Sequence, residues 1–382
     1  MSVDSVQPSR QIDQLTFTRF VAALSVVYYH YGSGIFPFNY ATLDRLFLVG
    51  PISVSFFYAL SGFIMAVVYT QKGGGPFDRK QYWQARFARI YPVYLLGLGA
   101  TVLLLDPQRD ASRKQLFSAL LVQSWIPGYP MAYNYPGWSV SVEAFFYLLF
   151  PFLITAFAKA SLRKLSLTAL FFWVSSSMVH VSLSTFLPVK PSSVLFDLLY
   201  YLPCLHLNTF LCGMLSGLLF LSHGRWLSER RKLNVALLIG TLALIVAVLL
   251  GRQSLEHLPL KLALTNGAMA PLFLIFIYSL SCDRTIISRV LSARLCLLLG
   301  DASYSIYILH VPIFLAFQKV TASYHGTLSK VAVLHIYVMA VILLSVLSYL
   351  FIERPARSGL KRLFQHELRC REKIGETAPS VG

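Results

Sequence analysis

Three small groups of polar residues in this chain are spaced for chemistry. Arg86 and Arg89 lie three residues apart and so share one helical face. Such a pair suits phosphate oxygens, which guanidinium groups grip by paired N–H donors. Basic anchoring at a membrane face would use the same two residues. Arg19 and His30 lie eleven residues apart, about 16 Å along a helix. Glu143 closes the run Trp138-Ser139-Val140-Ser141-Val142-Glu143. A histidine beside a carboxylate is the usual general base, because the carboxylate fixes the tautomer and stabilises the imidazolium. The alternative is a histidine bonded to a nearby carbonyl and a glutamate paired with an arginine for packing. A further histidine, His310, ends the run Tyr304-Ser305-Ile306-Tyr307-Ile308-Leu309-His310. His180 and His206 lack such neighbours and read as satisfied bundle residues.

The elements that must hold these groups are apolar. The chain has 382 residues, is 56% hydrophobic and only 13% charged, and carries a formal charge of +17. Soluble proteins have roughly 45–50% apolar and about 25% charged residues. Hydrophobic stretches recur along the whole length, which excludes a disordered chain and a soluble nucleic-acid binder despite the positive charge. A spanning helix needs about 20 mostly apolar residues. Ten stretches qualify: 13–31, 46–70, 88–105, 138–158, 165–187, 199–221, 233–250, 262–280, 303–318 and 333–352. Segment 115–126 is shorter, is preceded by charges and meets Pro127, and reads as an interfacial helix. The expected fold is therefore an all-α integral membrane bundle of about ten transmembrane helices.

The connecting segments give its orientation. Alternate connections place 23 of the 33 Lys and Arg residues on the side of both termini and nine on the other, with Arg19 inside the first span. The positive-inside rule then puts both termini in the cytoplasm. Five cysteines with no CxxC read as buried or reduced thiols. The N-terminus lacks the order of a cleaved signal peptide, so the first stretch is expected to be retained. Gly73-Gly74-Gly75 lacks the Gly-Lys-Ser/Thr that follows in a phosphate loop and reads as a turn. Residues 356–382 form a basic tail suited to anionic lipid. Ionisable groups inside the spans are costly and need a partner or a function.

Six motifs, in order, resemble the acyltransferase-3 family of membrane acyltransferases. These are Arg19-Phe20 through His30, Val54-Ser55-Phe56-Phe57 through Ser61-Gly62-Phe63, Arg86 through Pro92, Trp138 through Tyr147, Gly300-Asp301 through His310, and Glu353-Arg354-Pro355. The resemblance implies one membrane domain over 1–382, with its core at 13–355. It implies transfer of an acetyl or other short acyl group from acyl-CoA to a hydroxyl of a carbohydrate or glycoconjugate, at a bacterial inner (plasma) membrane. Carried over residue by residue, His30 and Glu143 become the catalytic pair, and Arg19, Ser61, Gly62, Arg86 and Arg89 the donor site. Trp138, Tyr304 and His310 become possible supports. No metal cluster is visible, and none is needed for thioester chemistry. The sequence departs from the family where Leu15-Thr16-Phe17-Thr18 precedes Arg19 in place of Asp-Gly-Leu. Many members add a C-terminal hydrolase-like domain, and transfer is expected here without one. A transporter of a glycan or lipid precursor is the alternative, and inverted-repeat symmetry, which would favour it, is not found.

Overall fold

The computed structural model describes residues 12–70, 77–105, 111–158, 161–256, 264–321, 329–360 and 362–363. The glycine run at 73–75 and nearly all of the tail beyond 360 lie outside them. Each expected apolar stretch contains a helix. These are α1 (Gln14–Tyr31), α2 (Gly50–Thr70), α3 (Arg79–Leu104), α4 (Gly137–Ala158) and α5 (Leu162–Phe186). They continue as α6 (Leu207–Glu229), α7 (Arg231–Glu256), α8 (Ala270–Cys282), α9 (Ser303–Thr321) and α10 (Lys330–Ser348). Among the described residues there is no strand. The segment expected as an interfacial helix is a short helix, Ala111–Ala119, followed by a 3-10 turn at Gln123–Trp125.

Seven helical stretches, those containing α2 to α7 and α10, are long and apolar enough to cross a membrane. An eighth forms if Arg294–Asp301 and α9, bent by 54° at their junction, count as one. Seven of the ten expected crossings thus pass by themselves, α9 passes only with its neighbour, and α1 and α8 fall short. α1 is diluted by Gln14, Thr16, Thr18, Arg19, Ser25 and His30, and α8 has only 13 residues. The shortness of α8 has a local cause at Leu264–Ala268, where the helix breaks at Asn266 and Gly267, the latter at φ +110°. Trp173 Nε1 donates to the Gly267 carbonyl at 2.7 Å and Asn208 Nδ2 to that of Asn266 at 3.0 Å, so the broken turn is hydrogen-bonded although buried.

The tightest packing joins α2 and α6. A Cβ at Gly213 would overlap the backbone of Ala59, and one at Gly62 would overlap the Phe210 carbonyl. Small residues allow this approach, since between apolar helices in lipid close packing replaces the hydrophobic drive. Aromatic rings fill the adjoining core, with Phe146 stacked on Phe210 at 4.7 Å. Prolines inside helices leave carbonyls without their usual donor one turn earlier. Pro151 frees Tyr147, whose carbonyl takes Trp83 Nε1 at 3.1 Å. Pro312 frees Ile308, whose carbonyl takes Asn134 Nδ2 at 2.9 Å. Both bonds tie distant segments to the helices that carry the polar groups.

Candidate active site

A cavity of about 480 Å³ lies between α1, α2, α3, α4 and α9. Arg19, Ser61, Arg86, Arg89, Glu143 and Tyr304 all line it. They come from five motifs spread over 286 positions, so the fold gathers what the chain separates. Thr16 and Arg19 enter from α1, Ser61, Ile64 and Met65 from α2, and Glu143 and Tyr147 from α4. Of the charged side chains in the wall, four are arginines and two, Glu143 and Asp301, are carboxylates.

Glu143 is held from two sides. Tyr147, four residues on and therefore on the same face, donates its hydroxyl to the carboxylate. Ser61 Oγ donates to the same oxygen at 3.3 Å. The carboxylate also acts electrostatically on Arg19, as does Glu353, while Arg89 repels Arg19. The buried Glu353 accepts from Ser305 Oγ at 2.8 Å. Arg86 is fixed by aromatic rings. Its guanidinium lies 5.5 Å from the Tyr69 ring centre, 5.9 Å from Tyr82 and 5.7 Å from Tyr147, and one of its NH2 groups donates to Tyr69 Oη at 3.1 Å. Tyr304 Oη donates to the Ile90 carbonyl at 2.8 Å and joins α9 to α3.

His30 does not line this cavity. It stands among rings, 4.6 Å from Tyr135 and stacked on His310 at 5.4 Å between centroids. Among the described residues no hydrogen bond joins His30 to Glu143, whose carboxylate is held by Ser61 and Tyr147. The two groups expected to form one pair are therefore not hydrogen-bonded to each other. Tyr307 connects the cavity wall to the histidines: it lines the cavity, its hydroxyl meets Ser139 Oγ at 2.7 Å, and its carbonyl receives His310 Nδ1 at 2.8 Å. The last bond requires a proton on Nδ1 of His310. Its Nε2 is buried without a partner among the described residues.

Two other expectations change place. Gly62 is taken up by the contact with Phe210 and is absent from the cavity wall, because the close approach of α6 uses the face that a donor arm would need. Trp138 packs against Tyr201 and His206, at 5.1 and 5.6 Å, and not on the cavity. His180 and His206 are bundle residues with partners: Asn266 Nδ2 lies 3.3 Å from His180 Nδ1, and the Tyr200 carbonyl lies 3.1 Å from His206 Nε2. Sequence reading missed Tyr147, Ser139, Tyr307 and Arg357 as cavity residues. Spacing held a clue for two of them, since Tyr147 follows Glu143 by four residues and Tyr307 precedes His310 by three. Among the described residues no group of three or more His, Cys, Asp or Glu side chains is placed to hold a metal ion.

An all-helical, membrane-type bundle with an arginine- and carboxylate-lined interior defines the class. The chain belongs to the acyltransferase-3 family, whose acyltransferase domain matches residues 12–352. Over 167 residues it is 32% identical to "Acyltransferase MdmB" of Streptomyces mycarofaciens, covering 41% of this chain and 42% of that one. Over 293 residues it is 25% identical to "Putative acetyltransferase ORF330" of Acidianus two-tailed virus, covering 76% of this chain and 79% of the other. A third relative, "Putative O-acetyltransferase SACOL0978" of Staphylococcus aureus (strain COL), is 24% identical over 373 residues. That match takes in 93% of this chain and 59% of the relative, so the chain spans less than two thirds of the streptomycete and staphylococcal proteins. No solved structure matches the chain.

Proposed function

We propose that this protein transfers an acetyl or other short acyl group from acyl-CoA to a hydroxyl of a carbohydrate or glycoconjugate. The observation that carries the reading is the single cavity into which Arg19, Ser61, Arg86, Arg89, Glu143 and Tyr304 converge. Four arginines against two carboxylates suit an anionic donor, and the apolar stretch between them, with Val54, Ile64 and Met65, suits a slender pantetheine arm. Acyl-CoA supplies a thioester and departs as the thiol. All ten helices cross the inner membrane in this reading, with α1 and α8 shielded by their neighbours and both termini cytoplasmic. The membrane is a bacterial one.

His30 is the general base in this reading. It takes the proton of the acceptor hydroxyl, and the oxygen then attacks the thioester carbonyl. Glu143 does not orient the imidazole by a hydrogen bond. Its part is to balance Arg19 inside the cavity, anchored by Tyr147 and Ser61, and to keep the wall fixed. The acyl end reaches Ser139 and Tyr307 from one side, and the acceptor reaches His30 from the other. The Tyr307–Ser139 hydrogen bond must then open for the two to meet. Purified full-length protein in lipid nanodiscs and proteoliposomes, given radiolabelled acetyl-CoA, tests the reading. Release of CoA with label on a glycan acceptor supports it, and uptake of label without CoA release overturns it in favour of transport.

A further inference from the structure

The arginines of the cavity wall are not equivalent. Arg86 is enclosed by three tyrosine rings and hydrogen-bonded to one of them. Arg89 is half-buried, and Arg357 is exposed. Neither has a hydrogen bond or an ion pair with a carboxylate among the described residues. Arg357 nevertheless shares the wall with Arg86 and Arg89, and both repel it. The wall sets Glu143 and Asp301 against its four arginines, and the buried Glu353 acts electrostatically on Arg19, Arg89 and Arg357. An excess of positive charge on one wall, with Arg89 and Arg357 free of carboxylate partners among the described residues, favours an anion between them. Arg357 belongs to the helical turn after Glu353-Arg354-Pro355, and no motif singled it out.

Building on the acyl-CoA reading above, we propose that Arg357 binds the 3′-phosphate of the donor nucleotide at the cavity mouth. The order of the groups along coenzyme A makes the assignment. Its thioester, pantetheine arm, diphosphate and 3′-phosphoadenosine follow one another. A donor whose thioester lies deepest must therefore leave its 3′-phosphate outermost. Arg357 is the exposed arginine of the wall, and Arg89, half-buried further in, falls to the diphosphate. Arg86, locked among its tyrosines, contributes field and not a mobile grip. A planar guanidinium meets a phosphate dianion by two parallel N–H bonds.

The test is calorimetric binding to the full chain in nanodiscs, comparing acetyl-CoA with acetyl-dephospho-CoA, which lacks only the 3′-phosphate. The wild-type protein should prefer acetyl-CoA by about 10- to 100-fold, the range of charge-assisted hydrogen bonds. Arg357→Gln should bring that ratio close to one, and Arg357→Lys should keep part of it, having the charge without the fork. Adenosine 3′,5′-bisphosphate should compete with acetyl-CoA on the wild type and lose that ability on Arg357→Gln. Thermal unfolding of the variants is the check that they remain folded, with a transition like that of the wild type expected. A wild type that binds both donors equally, or an Arg357→Gln variant that keeps the full ratio, overturns the assignment and leaves the acyl-CoA reading standing. A wild type that binds neither donor overturns both.

Discussion

Replacing Tyr307 by Phe removes one oxygen from the residue that joins the cavity wall to His310, whose ring stacks on His30. That oxygen meets Ser139 Oγ at 2.7 Å and lies 3.3 Å from the Pro136 carbonyl. Ser139 keeps a partner after the change, because its Oγ also donates to Pro136 at 2.9 Å. No buried group is orphaned, and the loss is that of a net neutral hydrogen bond, about 1 kcal/mol. If that bond separates the cavity from His30, weakening it by about 1 kcal/mol raises the open fraction about fivefold. Water then reaches the thioester more often when no acceptor is present. The assay is release of CoA from acetyl-CoA by purified Tyr307→Phe protein without acceptor, followed with a thiol reagent. The expected outcome is about fivefold faster uncoupled hydrolysis, with a fall in unfolding temperature of only a few degrees. Unchanged hydrolysis at unchanged donor affinity would refute the idea that this bond separates two compartments.

Three further outcomes are expected. His30→Ala should lower acyl transfer by about 10²–10⁴-fold, the reach of acid–base catalysis, while acetyl-CoA binding measured by calorimetry stays intact. Glu143→Gln should weaken donor affinity as well as transfer, because Arg19 loses a countercharge. A pure loss of turnover, with the dissociation constant unmoved, would return Glu143 to the role of partner to His30. Asn134→Ala should leave the Ile308 carbonyl without a donor and destabilise the protein by about 1–3 kcal/mol, read as a lowered unfolding midpoint in detergent.

Helix positions were legible in the sequence because apolar length is the property that lipid selects. Each of the ten stretches contains a helix, although those at 13–31 and 262–280 fall short of a crossing by their own length or apolarity. The break at Asn266 and Gly267 was hidden, since its support comes from Trp173 and Asn208 on other helices. Arg19, Ser61, Arg86, Arg89, Glu143 and Tyr304 could be gathered from their motifs, and the cavity brings those six together. Their pairing could not. Depth along a helix is readable from residue count, but which neighbour a side chain faces depends on helix rotation. A rotation of one residue turns Glu143 from one neighbour to another. Gly62 shows the same limit, since a small residue serves a close helix contact as readily as a substrate channel. The rule that proline frees a carbonyl one turn earlier is local to a helix and concerns Tyr147 and Ile308 here. It could not name Trp83 or Asn134 as the donors.

The composition of α1 bears on how the protein is assembled. With Arg19 and His30 among its 18 residues, α1 is not a segment that hydrocarbon would retain alone. It packs chiefly on α2, on Arg294–Asp301 and on α9. Two of these three are synthesised some 270 to 300 residues after it. During translation the first helix must therefore wait, sheltered by α2 or by the insertion machinery, until the last third of the chain arrives. Final seating of Arg19 is then a late event in biogenesis. A chain stopped after α8 would hold Arg19 without the α9 wall of the cavity, leaving a half-made cavity facing lipid. Truncation at that point should send the protein to membrane proteolysis and not to a partly active state.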